Sequence, residues 1–217
     1  MKIGVFDSGI GGKAVALRLC KLLPDAEIIC IDDHINVPYG DRPDDEIMKL
    51  AGDAIKPLIT ADCDAVVIAC NTVTTVAISH LRAAYPAMNF IGIEPMVKPA
   101  AAQTKSKKIA VLATDATLTS AAYRLLKSTW AKDVTVIEPD TTDWAALIEA
   151  GQSEDVPIED IVFQLIEEGA DIIVLACTHY HWLKERAQLT AGEAARILEP
   201  SDAIGSRIIN LLQNKTI

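Results

Sequence analysis

The strongest constraint on this chain is that it contains one design twice. Asp64-Ala65-Val66-Val67-Ile68-Ala69-Cys70-Asn71-Thr72 is an apolar run ending in a cysteine and small hydrogen-bonding residues, and Asp171-Ile172-Ile173-Val174-Leu175-Ala176-Cys177-Thr178-His179 repeats it. Two more landmarks recur in the same order: Lys2-Ile3-Gly4-Val5-Phe6 with Lys108-Ile109-Ala110-Val111-Leu112, and Ile93-Glu94-Pro95 with Leu198-Glu199-Pro200. The offsets are 106 from Lys2 to Lys108, 107 from Cys70 to Cys177 and 105 from Glu94 to Glu199. Three ordered landmarks at nearly one spacing mark a duplicated unit, which a single short apolar run would not. Each run reads as a short buried strand, so the expected fold is α/β: two pseudo-symmetric open-sheet lobes with mainly parallel strands and an active-site cleft between them. The lobes are expected at residues 1–97 plus 198–217 and at residues 98–197. Ligands of such sheets sit beyond the carboxyl ends of the strands, where both cysteines fall. A pseudo-two-fold relation would set Cys70 and Cys177 on opposite sides of the cleft.

Composition removes several classes of function. Half of the 217 residues are hydrophobic and 23% are charged, enough for a substantial core and too apolar for extended disorder. A net charge of −10 opposes nucleic acid and anionic membrane alike, so neither is an expected partner. The first apolar run is too short for a signal peptide and no uncharged stretch spans a bilayer, so the expected location is the cytoplasm. Five cysteines, Cys20, Cys30, Cys63, Cys70 and Cys177, make no even disulfide framework and are expected as free thiols. Cys20 and Cys30 lie in apolar periodic segments and are expected in the core; Cys63 looks incidental.

Along the chain, strand Lys2 to Phe6 runs into Asp7-Ser8-Gly9-Ile10-Gly11-Gly12 and a helical pattern with Val15, Leu17, Leu19 and Leu22. Gly9, Gly11 and Ala14 satisfy a loose dinucleotide pattern, with Asp32 at the distance of a ribose-binding acid, so a Rossmann-type dinucleotide-binding module is a rival reading. Asp7 weighs against it, because a carboxylate stands where a pyrophosphate wants positive potential, whereas an ammonium would welcome it. After a loop through Pro38-Tyr39-Gly40, Asp44 is expected to cap a helix with Ile47, Leu50, Ala51, Ala54, Ile55 and Leu58 on one face. A helix from about Val73 to Tyr85 comes after Cys70-Asn71-Thr72. A thiol at a helix N-terminus has its pKa lowered from about 8.5. In the second copy, hydroxyls from Thr114 to Ser120 replace the glycines; they can cap their own helix or present donors to a carboxylate. Leu147 and Ile148 are expected to pack, with Glu149 facing solvent or the cleft, and a last helix is expected from Asp202 to Leu212. Cys177, His179 and His181, with Cys70 as a fourth ligand, invite a zinc reading, but the spacing fits no familiar closed site and no metal is expected. His179 reads as a proton-handling neighbour of Cys177.

A single thiol with a histidine would serve acyl transfer, which gives no reason for a second cysteine. Inverting a stereocentre does: one acid/base group must remove the α-hydrogen from one face while another returns it on the opposite face. A redox sensor built on a Cys70–Cys177 disulfide is a third reading.

Phe6-Asp7-Ser8-Gly9-Ile10-Gly11-Gly12, Pro38-Tyr39-Gly40, Ala69-Cys70-Asn71-Thr72, Thr114 with Thr117, Ser120 and Tyr123, and Cys177-Thr178-His179-Tyr180 resemble, in order, the signatures of the cofactor-independent glutamate racemases of the aspartate/glutamate racemase superfamily. The resemblance covers nearly the whole chain. It implies that Cys70 and Cys177 are the two catalytic acid/bases; the residues themselves suggest Asp7 to take an ammonium or adjust Cys70, and His179 to assist Cys177. Asp7, Ser8, Tyr39, Gly40, Asn71, Thr72, Thr178 and His179 would contact a small acidic amino acid, and the hydroxyls of Thr114 and Thr117 are expected as further neutral donors to its carboxylates. It further implies no cofactor, a homodimer, and a supply of D-glutamate to peptidoglycan. His181 and Trp182 stand where this family usually has proline and an aliphatic residue, and Glu149 falls where an acid that pairs with the histidine is expected. Aspartate or a related acid is the alternative substrate.

Overall fold

Strand β1 (Lys2–Asp7) has β2 (Glu27–Asp32) on one side and β3 (Ala65–Ile68) on the other, with β4 (Phe90–Gly92) beyond β3, all parallel. In this computed structural model residues 1–40, 42–200, 203–205, 207, 208 and 210 are described. The chain divides into two units, Met1–Glu94 with Pro200–Ile217, and Pro95–Glu199. β1 and β3 lie inside the first sheet with both faces covered, which is why they read as continuous apolar runs. Their side chains still alternate between faces: Phe6, Val66 and Ile68 join the core beneath helices α2 (Asp44–Ala54), α3 (Lys56–Thr60) and α4 (Asn71–Ala84), while Ile3, Val5 and Val67 pack with Val15 and Leu19 of α1 (Gly11–Leu22). Ile204 and Ile208 pack on the α1 face; the described residues among 203–210 are helical, and the rest of the expected segment from Asp202 to Leu212 lies outside the described residues.

Several expectations are corrected here. The single helix expected from Asp44 to Leu58 is two, broken at Ile55, because Pro57 lacks the amide hydrogen that would carry the helical hydrogen-bond ladder on and fits instead in the first turn of a new helix. Its N-cap is Pro43, in extended conformation; Asp44 sits in the first turn with Asp45 and Glu46, where carboxylates suit the positive helix end. Leu17 is 62% exposed, and Cys20 and Cys30 are exposed rather than in the core. The buried stripe of α1 runs through Gly12, Val15, Ala16 and Leu19, which leaves Leu17 and Cys20 outside it, and Cys30 lies on the edge strand β2. The helix expected from Val73 starts two residues earlier, at Asn71, so Cys70 itself is its N-cap.

The second unit repeats the scheme. β5 (Lys108–Leu112), β6 (Thr135–Ile137), β7 (Ile172–Leu175) and β8 (Arg196–Leu198) form a parallel sheet in the order β6-β5-β7-β8, the counterpart of β2-β1-β3-β4. Around it lie α5 (Val97–Gln103), α6 (Asp115–Thr119), α7 (Ala121–Trp130), α8 (Trp144–Glu149), α9 (Ile158–Glu167) and α10 (Lys184–Ala191). The likeness reaches single hydrogen bonds. Ala69 N–H donates to the Phe6 carbonyl at 2.7 Å, and Ala176 N–H donates to the Leu112 carbonyl at 2.8 Å. Each bond ties the residue before a cysteine to the neighbouring strand, so both thiols leave their sheets at equivalent points. Among the described residues no helix is long and apolar enough to cross a membrane.

Candidate active site

In the first unit β1 delivers Asp7 and Ser8, and β3 delivers Cys70, all at the carboxyl end of the sheet. Asp7 and Ser8 are buried, and Cys70 is 6% exposed. The Cys70 sulfur accepts from Val73 N–H at 3.5 Å, capping the fourteen-residue α4, and from the Ser8 hydroxyl at 3.3 Å. Asp7 Oδ2 accepts from Gly9 N–H at 3.0 Å, and a Cβ at Gly12 would fall 2.5 Å from Asp7 Cβ. The glycine loop is therefore folded around a carboxylate and already spends the Gly9 amide on it, which is the reverse of a phosphate cradle. Asp32 is engaged by His34 at 2.8 Å and Lys13 at 3.6 Å. Tyr39 is buried and donates to Asp33 Oδ2 at 2.7 Å; burial, then that bond, push its phenol far above the ordinary range, so it stays a neutral donor. Gly40 comes next, partly buried.

Asn71 and Thr72 open α4 and are both buried. The Asn71 amide is unusual, because neither its nitrogen nor its oxygen has a hydrogen-bond partner. A buried amide with both ends unmet is costly, and such groups mark places where a ligand completes the bonding. Thr74, one turn on, donates to the Ile68 carbonyl at 3.2 Å and accepts from Ile93 N–H at 3.2 Å, tying α4 to β3 and β4. Sequence reasoning missed Thr74 and Asp33, since a threonine in a helix and an acid in a loop carry no distinguishing spacing.

In the second unit β7 delivers Cys177, 8% exposed, into a 3-10 turn, Thr178–Leu183. The Cys177 sulfur lies 3.8 Å from His179 Nδ1, and His179 Nε2 lies 2.5 Å from Glu149 Oε2 at the end of α8. Glu149 thus faces the histidine, the alternative to solvent. Tyr180 is fully buried; its hydroxyl donates to Thr141 Oγ1 at 2.9 Å, which in turn donates to the Ala113 carbonyl at 2.8 Å. That chain links the Cys177 turn to the end of β5. There Thr114 caps α6, its hydroxyl 3.1 Å from that of the buried Thr117, and Ser120 caps α7 by accepting from Tyr123 N–H at 3.1 Å. The capping role foreseen for the hydroxyl-rich turn is present. Tyr123 donates to Glu138 at 2.6 Å, a role no sequence pattern announced. Thr178 is buried beside His179. His179 and His181 turn to different acids, Glu149 and Glu199, and among the described residues no three metal-ligating side chains gather.

Each unit thus ends its third strand in a buried thiol with polar side chains beside it, Ser8 in one and His179 with Glu149 in the other. Residues 19–204 match the family of Asp/Glu/Hydantoin racemases, and the chain belongs to that family. Within it, the chain is similar to glutamate racemases. It is 37% identical to that of Roseiflexus sp. (strain RS-1), over 98% of this chain and 80% of the relative, and 37% identical to that of Aliarcobacter butzleri (strain RM4018), over 99% and 85%. Among solved structures, Escherichia coli glutamate racemase in complex with L-glutamate and the activator UDP-MurNAc-ala superposes with a TM-score of 0.86 at 28% identity, covering 98% of this chain and 82% of that one. Glutamate racemase isoform RacE1 of Bacillus anthracis gives 0.83 at 27% identity, over 99% and 82%. An allantoin racemase from Klebsiella pneumoniae, at 17% identity and a TM-score of 0.65, shares the fold.

Proposed function

We propose that this protein is an isomerase that interconverts L- and D-glutamate by proton transfer at the α-carbon, using Cys70 and Cys177 as the two acid/base groups. The observation that carries the reading is the pair of buried thiols at equivalent points of a duplicated sheet, each with its own polar neighbours. The similarity to glutamate racemases over almost the whole chain supports the choice of substrate. In one direction the thiolate of one cysteine takes the α-proton and the electron pair stays on the carbon, delocalised into the carboxylate. The opposite thiol then delivers its own proton to the other face. Inversion leaves the first cysteine protonated and the second ionised, ready for the reverse direction. A general base and acid whose pKa values lie near the working pH suit a reaction that runs both ways.

An acidic substrate fits a chain of charge −10 because the groups offered to it are neutral donors. Ser8, Thr72, Thr114, Thr117 and Thr178 supply hydroxyls, and Asn71 supplies an amide that can donate to a carboxylate and accept from an ammonium at once. Asp7 takes the ammonium or assists Cys70, while His179, held by Glu149, assists Cys177. The reaction needs no cofactor, takes place in the cytoplasm as a homodimer, and supplies D-glutamate for peptidoglycan.

Purified protein incubated with L-glutamate in deuterium oxide, and separately with L-aspartate, tests this. Chiral chromatography should show D-glutamate carrying deuterium at the α-carbon, with little turnover of aspartate. Cys70→Ala and Cys177→Ala should each lower racemisation by about 10²- to 10⁴-fold while circular dichroism stays unchanged. Inversion retained in either variant would remove the two-thiol mechanism.

A further inference from the structure

The turns that present the two thiols are supported differently. Cys70 caps fourteen residues of regular helix. Cys177 makes no side-chain cap bond and leads into a six-residue 3-10 turn, a conformation with poorer hydrogen-bond geometry than an α-helix. At the far side of that turn His181 Nε2 lies 3.3 Å from Glu199 Oε2, and Lys184 Nζ, at the start of α10, lies 3.1 Å from Glu199 Oε1. The Glu199 side chain is only 6% exposed and sits directly after β8, the strand hydrogen-bonded to β7. Its counterpart in the repeat, Glu94, is exposed. A carboxylate taken out of water costs free energy even when paired. The second copy therefore bears a cost that the first avoids, and the first has a helix cap where the second has none. Burial pushes the His181 imidazole below its ordinary value despite the facing carboxylate, so His181 acts as a neutral donor and Lys184 carries the countercharge.

We propose that His181 and Glu199 are positioning residues that lock the 3-10 turn to the end of β8, so that the Cys177 sulfur and His179 are held in register with the substrate. The inference rests on the racemase reading above.

The test measures kcat and KM in both directions, with the α-deuterium isotope effect for each enantiomer, on wild type, His181→Leu, Glu199→Ala and His181→Gln. His181→Leu and Glu199→Ala should each lower kcat by roughly 10- to 100-fold with KM changed less than about 3-fold, as small misplacements of a reacting group do. The isotope effect should rise for the one enantiomer whose proton Cys177 removes and stay constant for the other. His181→Gln, which keeps a neutral donor, should stay within about 3-fold of wild type in kcat. Variants that lose thermal stability but keep kcat and both isotope effects would show a purely structural role and overturn the proposal. A wild-type protein that does not racemise glutamate would overturn the underlying reading, and this inference with it.

Discussion

At the scale of single residues, Asn71 separates function from stability. Both ends of its amide are buried without a partner, so the folded protein carries an unmet bonding cost that, on the proposed racemase reading, a bound amino acid would relieve. Asn71→Leu, similar in size and apolar, should raise unfolding free energy by about 1–3 kcal/mol, seen as a higher urea midpoint. The same variant should lose at least about tenfold in kcat/KM for glutamate, the usual cost of one ligand hydrogen bond. A lower midpoint would mean that the amide is bonded in the free protein. Gly12 sets the opposite constraint. Any side chain there collides with Asp7, so Gly12→Ala should cost about 1–3 kcal/mol of stability and displace the carboxylate. Racemisation should fall with it, and a variant with unchanged urea midpoint and rate would contradict the 2.5 Å approach.

Elements repeat their local chemistry as well as their order. The aspartate that precedes the third strand holds the chain near the start of the first strand in both units: Asp64 accepts from Lys2 N–H at 2.8 Å, and Asp171 accepts from the Thr104 hydroxyl at 2.5 Å, Lys105 N–H at 2.6 Å and Ser106 N–H at 2.9 Å. Burial raises the Asp171 pKa, but these hydrogen bonds outweigh it and hold the carboxyl below its ordinary 3.8. The folded protein therefore binds fewer protons here than the unfolded chain, so the contribution is complete above that value and fades as pH falls below it. Asp171→Asn should lower stability at pH 7 by about 1–3 kcal/mol. Denaturant melts of variant and wild type should converge in acid below the ordinary carboxylate range; an equal gap at every pH would assign the effect to packing. The elements also show where sequence patterns stop. Hydrophobic spacing located α1, yet Leu17 and Cys20 face water, because spacing reveals that a helix has a buried stripe without fixing which marginal residues fall outside it.

For the molecule as a whole, the two-thiol reading makes each chain a complete unit of chemistry, with one acid/base from each half. Mixing equal amounts of Cys70→Ala and Cys177→Ala protein should leave racemisation at the level of either alone, monitored by circular dichroism of glutamate. Recovery of a large fraction of wild-type rate would mean that thiols of different chains cooperate. The duplication in the sequence was sufficient to foresee two parallel sheets and both strand-end cysteines, because a strand buried on both faces leaves an unbroken apolar run and a repeat leaves matching offsets. Matching offsets do not disclose what surrounds each thiol. That Cys70 caps a long helix while Cys177 leans on His179, Glu149 and a turn tied to Glu199 depends on side chains far apart in the chain. So does the bonding of Tyr180 through Thr141 to Ala113. Such partners are chosen by which loops the packed helices bring together, and no local periodicity records that choice. The sequence by itself determined the strands, their duplication and the placement of a thiol at the end of each third strand. Only the tertiary structure decided how each thiol is buried, bonded and supported, because those are properties of contacts between distant residues.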